Sequence, residues 1–207
     1  MKNKSTAGSA IGLDVGTSRI VAASRAEGEF QFRSQLNAFV SLPFSQMTAR
    51  TLQKEGILHV VQEPSLLVYG NESERFADLF HLEARRPMSG GVLNPAEPEA
   101  LPLIRRIFQA LGAGDGEPRR VCFSVPAPPL GSEATVTYHE AALRELLEEI
   151  GHETRGINEG LAVVYAELED TNYTGIGVSF GGGLCNVSLA YLSTPLFSFS
   201  VPKAGDF

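Results

Sequence analysis

The fold of this chain is decided by the stretch Ile11-Gly12-Leu13-Asp14-Val15-Gly16-Thr17-Ser18. Its first half is apolar and predicts a short buried strand, and its second half is a turn of small residues. A strand that ends in Asp-x-Gly-Thr-Ser directs backbone N–H groups and hydroxyls at one point, because small residues let the backbone approach closely. Such a turn is typical of loops that hold phosphate.

A second turn of this kind lies far downstream. Gly181-Gly182-Gly183 follows the apolar stretch Gly175–Ser179, which also predicts a strand. Two such hairpins that face each other can hold a polyphosphate from both sides. The simpler alternatives are that Asp14 only caps its turn and that the three glycines form an ordinary flexible hairpin turn.

The composition excludes several classes of protein. The 207 residues carry a net charge of -7, which argues against a surface that binds nucleic acid. Residues 1–10 lack the apolar core of a signal peptide, and no apolar run approaches the ~18 residues that span a membrane. The four histidines lie far apart, which argues against a metal held by protein side chains alone. We therefore expect a soluble cytoplasmic protein.

The pattern of apolar residues predicts an α/β fold. Three strands come first, and the third is expected to be half-buried because Phe30 and Phe32 alternate with polar residues. Residues 37–95 are less regular and suggest an insertion with its own small subdomain, in which Asn71-Glu72-Ser73-Glu74 predicts a capping box. A helix, a strand, a helix, a strand and a helix capped by Asn158 then follow.

After about residue 172 a fresh set of three strands begins, which suggests that a second domain opens like the first. We therefore predict a flexible tail at 1–9, a first domain at 10–172 with the insertion at about 37–95, and the truncated start of a second domain at 173–207. This last segment is rich in apolar residues and no helix follows it in the sequence, so we expect it to need a partner surface.

Five motifs occur in an order that is known from one superfamily. They are Asp14-Val15-Gly16-Thr17-Ser18, Arg85-Arg86-Pro87-Met88-Ser89-Gly90-Gly91-Val92, Asn158-Glu159-Gly160, Ser179-Phe180-Gly181-Gly182-Gly183 and Ala204-Gly205-Asp206-Phe207. With these motifs the chain resembles the actin, sugar-kinase and seventy-kilodalton heat-shock chaperone superfamily of ATP-binding proteins. Within it, the chain most resembles the N-terminal half of the bacterial rod-shape actins.

The resemblance implies a ribonuclease-H-like first domain, with ATP and magnesium bound in a cleft beside a second domain of the same fold. Asp14 would then place the phosphates and a magnesium ion through its bound water, and Glu159 would orient the attacking water. The residues that would contact phosphate are Gly16, Thr17, Ser18, Gly181, Gly182 and Gly183.

Three positions depart from the superfamily pattern. Ser179 stands where the second loop usually has an acid, Leu184 replaces a threonine, and Asn186 replaces a further acid. Serine supplies no charge to hold the water shell of magnesium, and leucine offers no hydroxyl to phosphate. We therefore expect this chain to form at most half of a nucleotide site, to hold ATP and magnesium weakly, and to hydrolyse ATP negligibly.

The resemblance supports a role in nucleotide-dependent, cytoskeletal-type assembly or clamping, with nucleotide and either a second copy or another protein as partners. Two alternatives remain open. The chain could be a non-hydrolysing scaffold or interaction domain that keeps only the fold, or a phosphotransferase similar to sugar kinases.

Overall fold

The computed structural model describes residues 10–114, 117–130 and 136–205. The predicted tail at 1–9 lies outside these ranges, as do the last two residues of the motif at 204–207. Within these ranges, no helix is both long enough and apolar enough to cross a membrane.

The described residues form thirteen strands and five α-helices. The strands are β1 (Ile11–Val15), β2 (Arg19–Ala26), β3 (Glu29–Leu36), β4 (Phe39–Pro43), β5 (His59–Gln62), β6 (Ser65–Tyr69), β7 (Met88–Ser89), β8 (Val92–Leu93), β9 (Arg120–Val125), β10 (Glu153–Asn158), β11 (Gly175–Phe180), β12 (Cys185–Tyr191) and β13 (Thr194–Val201). The helices are α1 (Gln46–Lys54), α2 (Ser73–Phe80), α3 (Ala100–Ala110), α4 (Val136–Glu149) and α5 (Glu159–Glu167).

The central sheet has five strands in the order β10-β9-β1-β2-β3. Strands β1, β2 and β3 are antiparallel neighbours, whereas β9 runs parallel to β1 and to β10. Ile11 pairs with Val121 and Gly12 with Cys122, so two segments that are distant in sequence share one sheet. The α/β fold predicted from the sequence, with a mixed sheet in ribonuclease-H-like order, is confirmed.

Helices α3 and α4 cover one face of the central sheet. Ile104, Ile107 and Phe108 of α3 and Leu143 and Leu147 of α4 are fully buried in the core that the sheet shares with these helices. These positions recur at helical spacing, which is why the sequence predicts both helices. The opposite face of the sheet carries Gly12 and Asp14 and faces the rest of the candidate site.

The expectation that β3 is half-buried was wrong. Phe30 and Phe32 are 67% and 69% exposed, and the guanidinium of Arg25 lies 5.6 Å from the centre of the Phe30 ring. Phe32 pairs with Ala23, whereas the buried Ala22 points to the core side of β2. The phenylalanines therefore lie on the face away from α3 and α4, at the edge of the sheet.

Residues 39–80 form a second, smaller sheet in the order β4-β6-β5, with its own hydrophobic cluster. The cluster consists of Val40, Leu42, Leu52, Leu66, Val68, Phe76 and Ala77. The capping box predicted at Asn71–Glu74 was wrong, because Asn71 lies in a 3-10 turn before α2. Its side-chain carbonyl instead accepts a hydrogen bond of 3.0 Å from the backbone N–H of Leu36, which joins this segment to β3.

The third sheet, β11-β12-β13, packs one face against α5, which precedes it in the chain. The contact is close because it is made by glycine: a Cβ at Gly177 would overlap the carbonyl oxygen of Gly160 and lie 3.0 Å from the backbone nitrogen of Val164. One face of the segment that was expected to need a partner surface is thus covered by α5 of the same chain.

The other face of the third sheet is apolar and largely exposed. Cross-strand pairing forms two rows of apolar residues on it. The rows are Ile176, Leu189 and Phe197, and Val178, Val187 and Phe199. At the end of β11, Phe180 is 79% exposed.

Candidate functional site

The first glycine-rich loop, Gly16–Ser18, joins β1 to β2 in a tight turn. The backbone N–H of Gly16 donates to the carbonyl of Arg19 at 3.1 Å, and a Cβ at Gly16 would lie 2.8 Å from that oxygen. Only glycine therefore fits at this position without a shift of the backbone. Asn37 supports the loop from behind, because its side-chain amide donates to the carbonyl of Gly16 at 2.9 Å and its backbone N–H donates to the carbonyl of Ser18 at 2.9 Å.

Asp14, at the end of β1, is fixed by a serine that the sequence analysis did not single out. Ser124 in β9 donates a hydrogen bond of 2.8 Å to Oδ1 of Asp14, and its hydroxyl accepts one of 2.9 Å from the backbone N–H of Val15. Ser124 is buried. The signal that could have revealed it is a serine between the apolar run Val121-Cys122-Phe123 and Val125.

The second glycine-rich loop, Gly181–Gly183, joins β11 to β12 and lies against the first loop. A Cβ at Gly183 would lie 2.8 Å from Oγ1 of Thr17 and 2.5 Å from the backbone nitrogen of Gly91. The two loops are far apart in sequence but in direct contact here, because Gly183 has no side chain to separate them.

A short hairpin, formed by β7, β8 and the turn Gly90–Gly91, packs beside the point where the two loops meet. The backbone N–H of Gly91 donates to the hydroxyl of Thr17 at 3.0 Å. A Cβ at Gly91 would collide with the side chain of Leu184, which is buried. Leu184 therefore packs against the hairpin, and the hairpin contacts both loops. In the sequence, this segment is marked only by its resemblance to the bacterial rod-shape actins.

Glu159 begins α5, where the side chain of Asn158 caps the helix by accepting a hydrogen bond of 3.1 Å from the backbone N–H of Gly160. Oε2 of Glu159 accepts hydrogen bonds from the amide of Asn186 at 2.8 Å and from the hydroxyl of Ser179 at 3.2 Å. The two residues that replace acids of the superfamily pattern, Ser179 and Asn186, thus both donate hydrogen bonds to the carboxylate of Glu159.

Burial raises the pKa of the Glu159 carboxyl from its ordinary value to about 7, and the negative charge of Asp14 acts in the same direction. The hydrogen bonds from Ser179 and Asn186 lower this pKa and offset part of the effect. The environment of Glu159 therefore favours the protonated carboxyl far more than water does.

Two cavities lie at the site. One of about 580 Å3 has a polar end that includes Asp14, Ser124, Glu159 and Ser179. The other, of about 430 Å3, is lined by Thr17 together with Gly182 and Gly183. The predicted carboxylates and the predicted loop residues Thr17, Gly182 and Gly183 thus line two different cavities, which have no lining residue in common. Their roles in binding and catalysis stay predictions.

The carboxylates of the candidate site suit a metal ion only if the ion keeps its bound water. Among the described residues, no group of three or more histidines, cysteines and carboxylates could hold a metal. Asp14 and Glu159 line one cavity, which Glu167 also lines. Magnesium is commonly held by one or two carboxylates together with substrate phosphates, and keeps several of its waters. These two residues therefore fit magnesium bound through water beside a phosphate.

The sheet order and the two facing loops define an actin-like fold. The chain belongs to the Volactin family, whose model matches residues 9–207. A comparison with curated proteins found no match.

Solved structures of actin-like proteins share the fold. A double-helical filament of MamK is 20% identical, with a TM-score of 0.63 over 96% of this chain and 55% of the MamK chain. MreB5 of Spiroplasma citri bound to ADP is 20% identical, with a TM-score of 0.63 over 97% of this chain and 53% of that chain. The same protein bound to AMPPNP is 19% identical, with a TM-score of 0.64 and coverages of 97% and 54%. The chain thus spans about half the length of these proteins.

Proposed function

We propose that this chain holds the polyphosphate of a nucleotide such as ATP between its two glycine-rich loops, and acts in cytoskeletal-type assembly in the cytoplasm. The observation that carries the proposal is the cavity of about 430 Å3 that Thr17 of the first loop lines together with Gly182 and Gly183 of the second, beside the point where Gly183 meets Thr17. Two turns that close in this way direct backbone N–H groups into one space. The MreB5 structures bound to ADP and AMPPNP support the nucleotide, and the MamK filament supports the assembly.

In this proposal each predicted site residue has a role. The loop residues assigned to phosphate are Gly16, Thr17, Ser18, Gly181, Gly182 and Gly183. The backbone N–H groups of Gly16 and Gly181 close the two turns by donating to the carbonyls of Arg19 and Leu184, so the other four residues supply the donors to phosphate. Asp14 holds magnesium through its water, and when bound this ion neutralises phosphate charge. Glu159 orients a water beside the terminal phosphate, fixed by Asn186 and Ser179. Because the chain spans 53–55% of the similar structures, we propose that it supplies the phosphate side of the site.

A glycine substitution tests the loop closure. Gly183→Ala forces the second loop away from Thr17 and Gly91, so we expect the affinity for ATP with Mg2+ to fall at least ~10-fold by isothermal titration calorimetry, about 1.4 kcal/mol. The matched control is Gly205→Ala, since a Cβ there would lie 3.5 Å from the nearest atom, an ordinary contact. Equal affinities of the two variants, or no ATP binding by the unmodified chain, would contradict the proposal.

The exposed apolar face of the third sheet favours a second candidate function, a scaffold that keeps the fold and binds a protein. The row of Ile176, Leu189 and Phe197 has no described element packed over it, and Ile176 and Phe197 are 61% and 51% exposed. An exposed apolar patch of this kind is typical of an interaction surface. We propose a second copy of the chain as the partner, because MamK is similar in fold and forms a filament.

Light scattering tests the second candidate. The unmodified chain is expected to associate, and the double variant Ile176→Lys with Phe197→Lys is expected to be monomeric. The matched control is Leu79→Lys, an equally exposed apolar residue on α2, away from this sheet. A monomeric unmodified chain, or association that the double variant leaves intact, would rule this candidate out.

A further inference from the structure

One cation lies in the wall of the smaller cavity between the loops. The cavity of about 430 Å3 is lined by Thr17 of the first loop and by Gly182 and Gly183 of the second. Arg86, just before the hairpin, and Ser89, in its first strand β7, also line it. Among the described residues that line it, Arg86 alone carries a charge. The superfamily motifs in the sequence gave this arginine no role at the phosphate site.

The guanidinium of Arg86 is already fixed beside the first loop. Its Nη1 donates to the backbone carbonyl of Ser18 at 3.2 Å, and its Nη2 lies 3.3 Å from Oε1 of Glu74. The backbone carbonyl of Arg86 accepts a hydrogen bond of 3.5 Å from the side-chain amide of Asn94. These contacts hold the arginine at the loop and leave further guanidinium N–H donors for an anion.

The pair with Glu74 is one that an anion can displace. The side chains of Arg86 and Glu74 are 34% and 50% exposed, and exposed ion pairs contribute little to stability. A phosphate group offers the guanidinium a bidentate partner, which is stronger and geometrically better matched than a single carboxylate oxygen at 3.3 Å.

We propose that Arg86 is a specificity-determining residue that pairs with the terminal phosphates of a bound polyphosphate, and releases Glu74 when it does so. This inference rests on the proposed function and extends it. No carboxylate is found among the described residues that line this cavity, so its wall places no negative charge against a phosphate beside Arg86. The ligand class is a polyphosphate, with or without a bound metal ion.

Inorganic tripolyphosphate is the probe, because it tests the phosphate contacts apart from the rest of a nucleotide. Its affinity is measured by isothermal titration calorimetry on the full chain, once with Mg2+ and once with EDTA. Arg86→Ala is expected to lower the affinity about 10- to 100-fold in both conditions, since a hydrogen-bonded charge is lost. Arg86→Lys keeps the charge but not the paired N–H donors of the guanidinium. Its affinity is expected to lie between those of Arg86→Ala and the unmodified chain.

Two further variants make the test specific. Glu74→Gln frees the guanidinium and is expected to raise the affinity about twofold or more, since it removes the competing carboxylate. Arg75→Ala is the control, because Arg75 pairs with Glu72 on the surface of α2 and lies outside the cavity lining, so its affinity should stay within about twofold. If Arg86→Ala does not fold, Arg86→Lys and Glu74→Gln decide the question.

Equal affinities of Arg86→Ala and the unmodified chain would overturn the inference, as would a lack of tripolyphosphate binding by the unmodified chain in EDTA. The proposed function survives either result if ATP still binds with Mg2+ and Gly183→Ala still weakens that binding. Loss of ATP binding in the unmodified chain would instead reject both.

Discussion

The amide of Asn186 joins the carboxylate of Glu159 to the loop that follows β9. Its Nδ2 donates to Oε2 of Glu159 at 2.8 Å, and its Oδ1 accepts a hydrogen bond of 2.7 Å from the backbone N–H of Ala127. Asn186 is fully buried. Asn186, one of the three residues that depart from the superfamily pattern, therefore links the predicted catalytic carboxylate to the loop after β9.

Asn186→Ala should destabilise the chain by about 1–3 kcal/mol, because the buried N–H of Ala127 loses its acceptor. Ser179→Ala is the control, since Ser179 makes only the longer bond of 3.2 Å to the same carboxylate, and we expect it to cost less than about 1 kcal/mol. Urea denaturation followed by circular dichroism measures both. If the two variants lose the same stability, the bridge through Asn186 is not important to the fold.

Glu159→Gln should change how stability depends on pH. The folded state raises the pKa of Glu159 from 4.5 to about 7, so it binds the proton more tightly than the unfolded chain does. Stability is therefore full below pH ~4.5 and falls as the pH rises through 7, by at most about 3 kcal/mol. Without nucleotide, the glutamine variant should lack this decline, so its advantage should be larger at pH 8 than at pH 5. Parallel pH profiles of the two proteins would show that the carboxyl is not perturbed.

Gly177→Ala should separate α5 from β11. The added methyl would overlap the carbonyl oxygen of Gly160, so we expect a loss of at least ~2 kcal/mol in the free energy of unfolding. Gly12→Ala is the matched control in a strand of the central sheet, because its Cβ would meet only Ala23 at 3.8 Å, and we expect a change within about 1 kcal/mol. Thermal denaturation of both variants decides, and a tolerated Gly177→Ala would mean that the helix lies further from the sheet.

Hydrolysis of ATP should stay at the level of the buffer. Ser179 supplies no charge at the second loop, and Leu184 turns toward the hairpin instead of offering a hydroxyl. Each strong positioning group that is lost costs about 10²- to 10³-fold in rate. Steady-state phosphate release measures this, with Asp14→Ala as the matched variant. Turnover that Asp14→Ala abolishes would show that the chain keeps a working site.

Sequence patterns correctly predicted the turns and helices that depend only on residues close together in the chain. The turn Gly16–Ser18 follows from a strand that ends in small residues, and α3 and α4 follow from apolar residues at helical spacing. β4 and α1 were missed. Helix α1 is polar and buries only Leu52, so it has no apolar stripe to reveal it.

Residues whose importance depends on distant pairing were also missed. Ser124 reaches Asp14 only because β9 lies parallel to β1, and Asn37 supports the first loop from the end of β3. Phe30 and Phe32 alternate as a buried strand does, but the face that carries them lies away from the core. The approach of the two loops depends on the whole chain, so the sequence could suggest it only through the resemblance.

The central claim is that both glycine-rich loops close on one polyphosphate. The most direct test is the backbone amide spectrum of the full chain, labelled with nitrogen-15 and titrated with ATP and Mg2+. We predict that the largest chemical-shift changes fall on the amides of Gly16–Ser18 and Gly181–Gly183 together, with Gly91 following because it is bonded to Thr17. Changes confined to one loop, or changes elsewhere with both loops unaffected, would contradict the account.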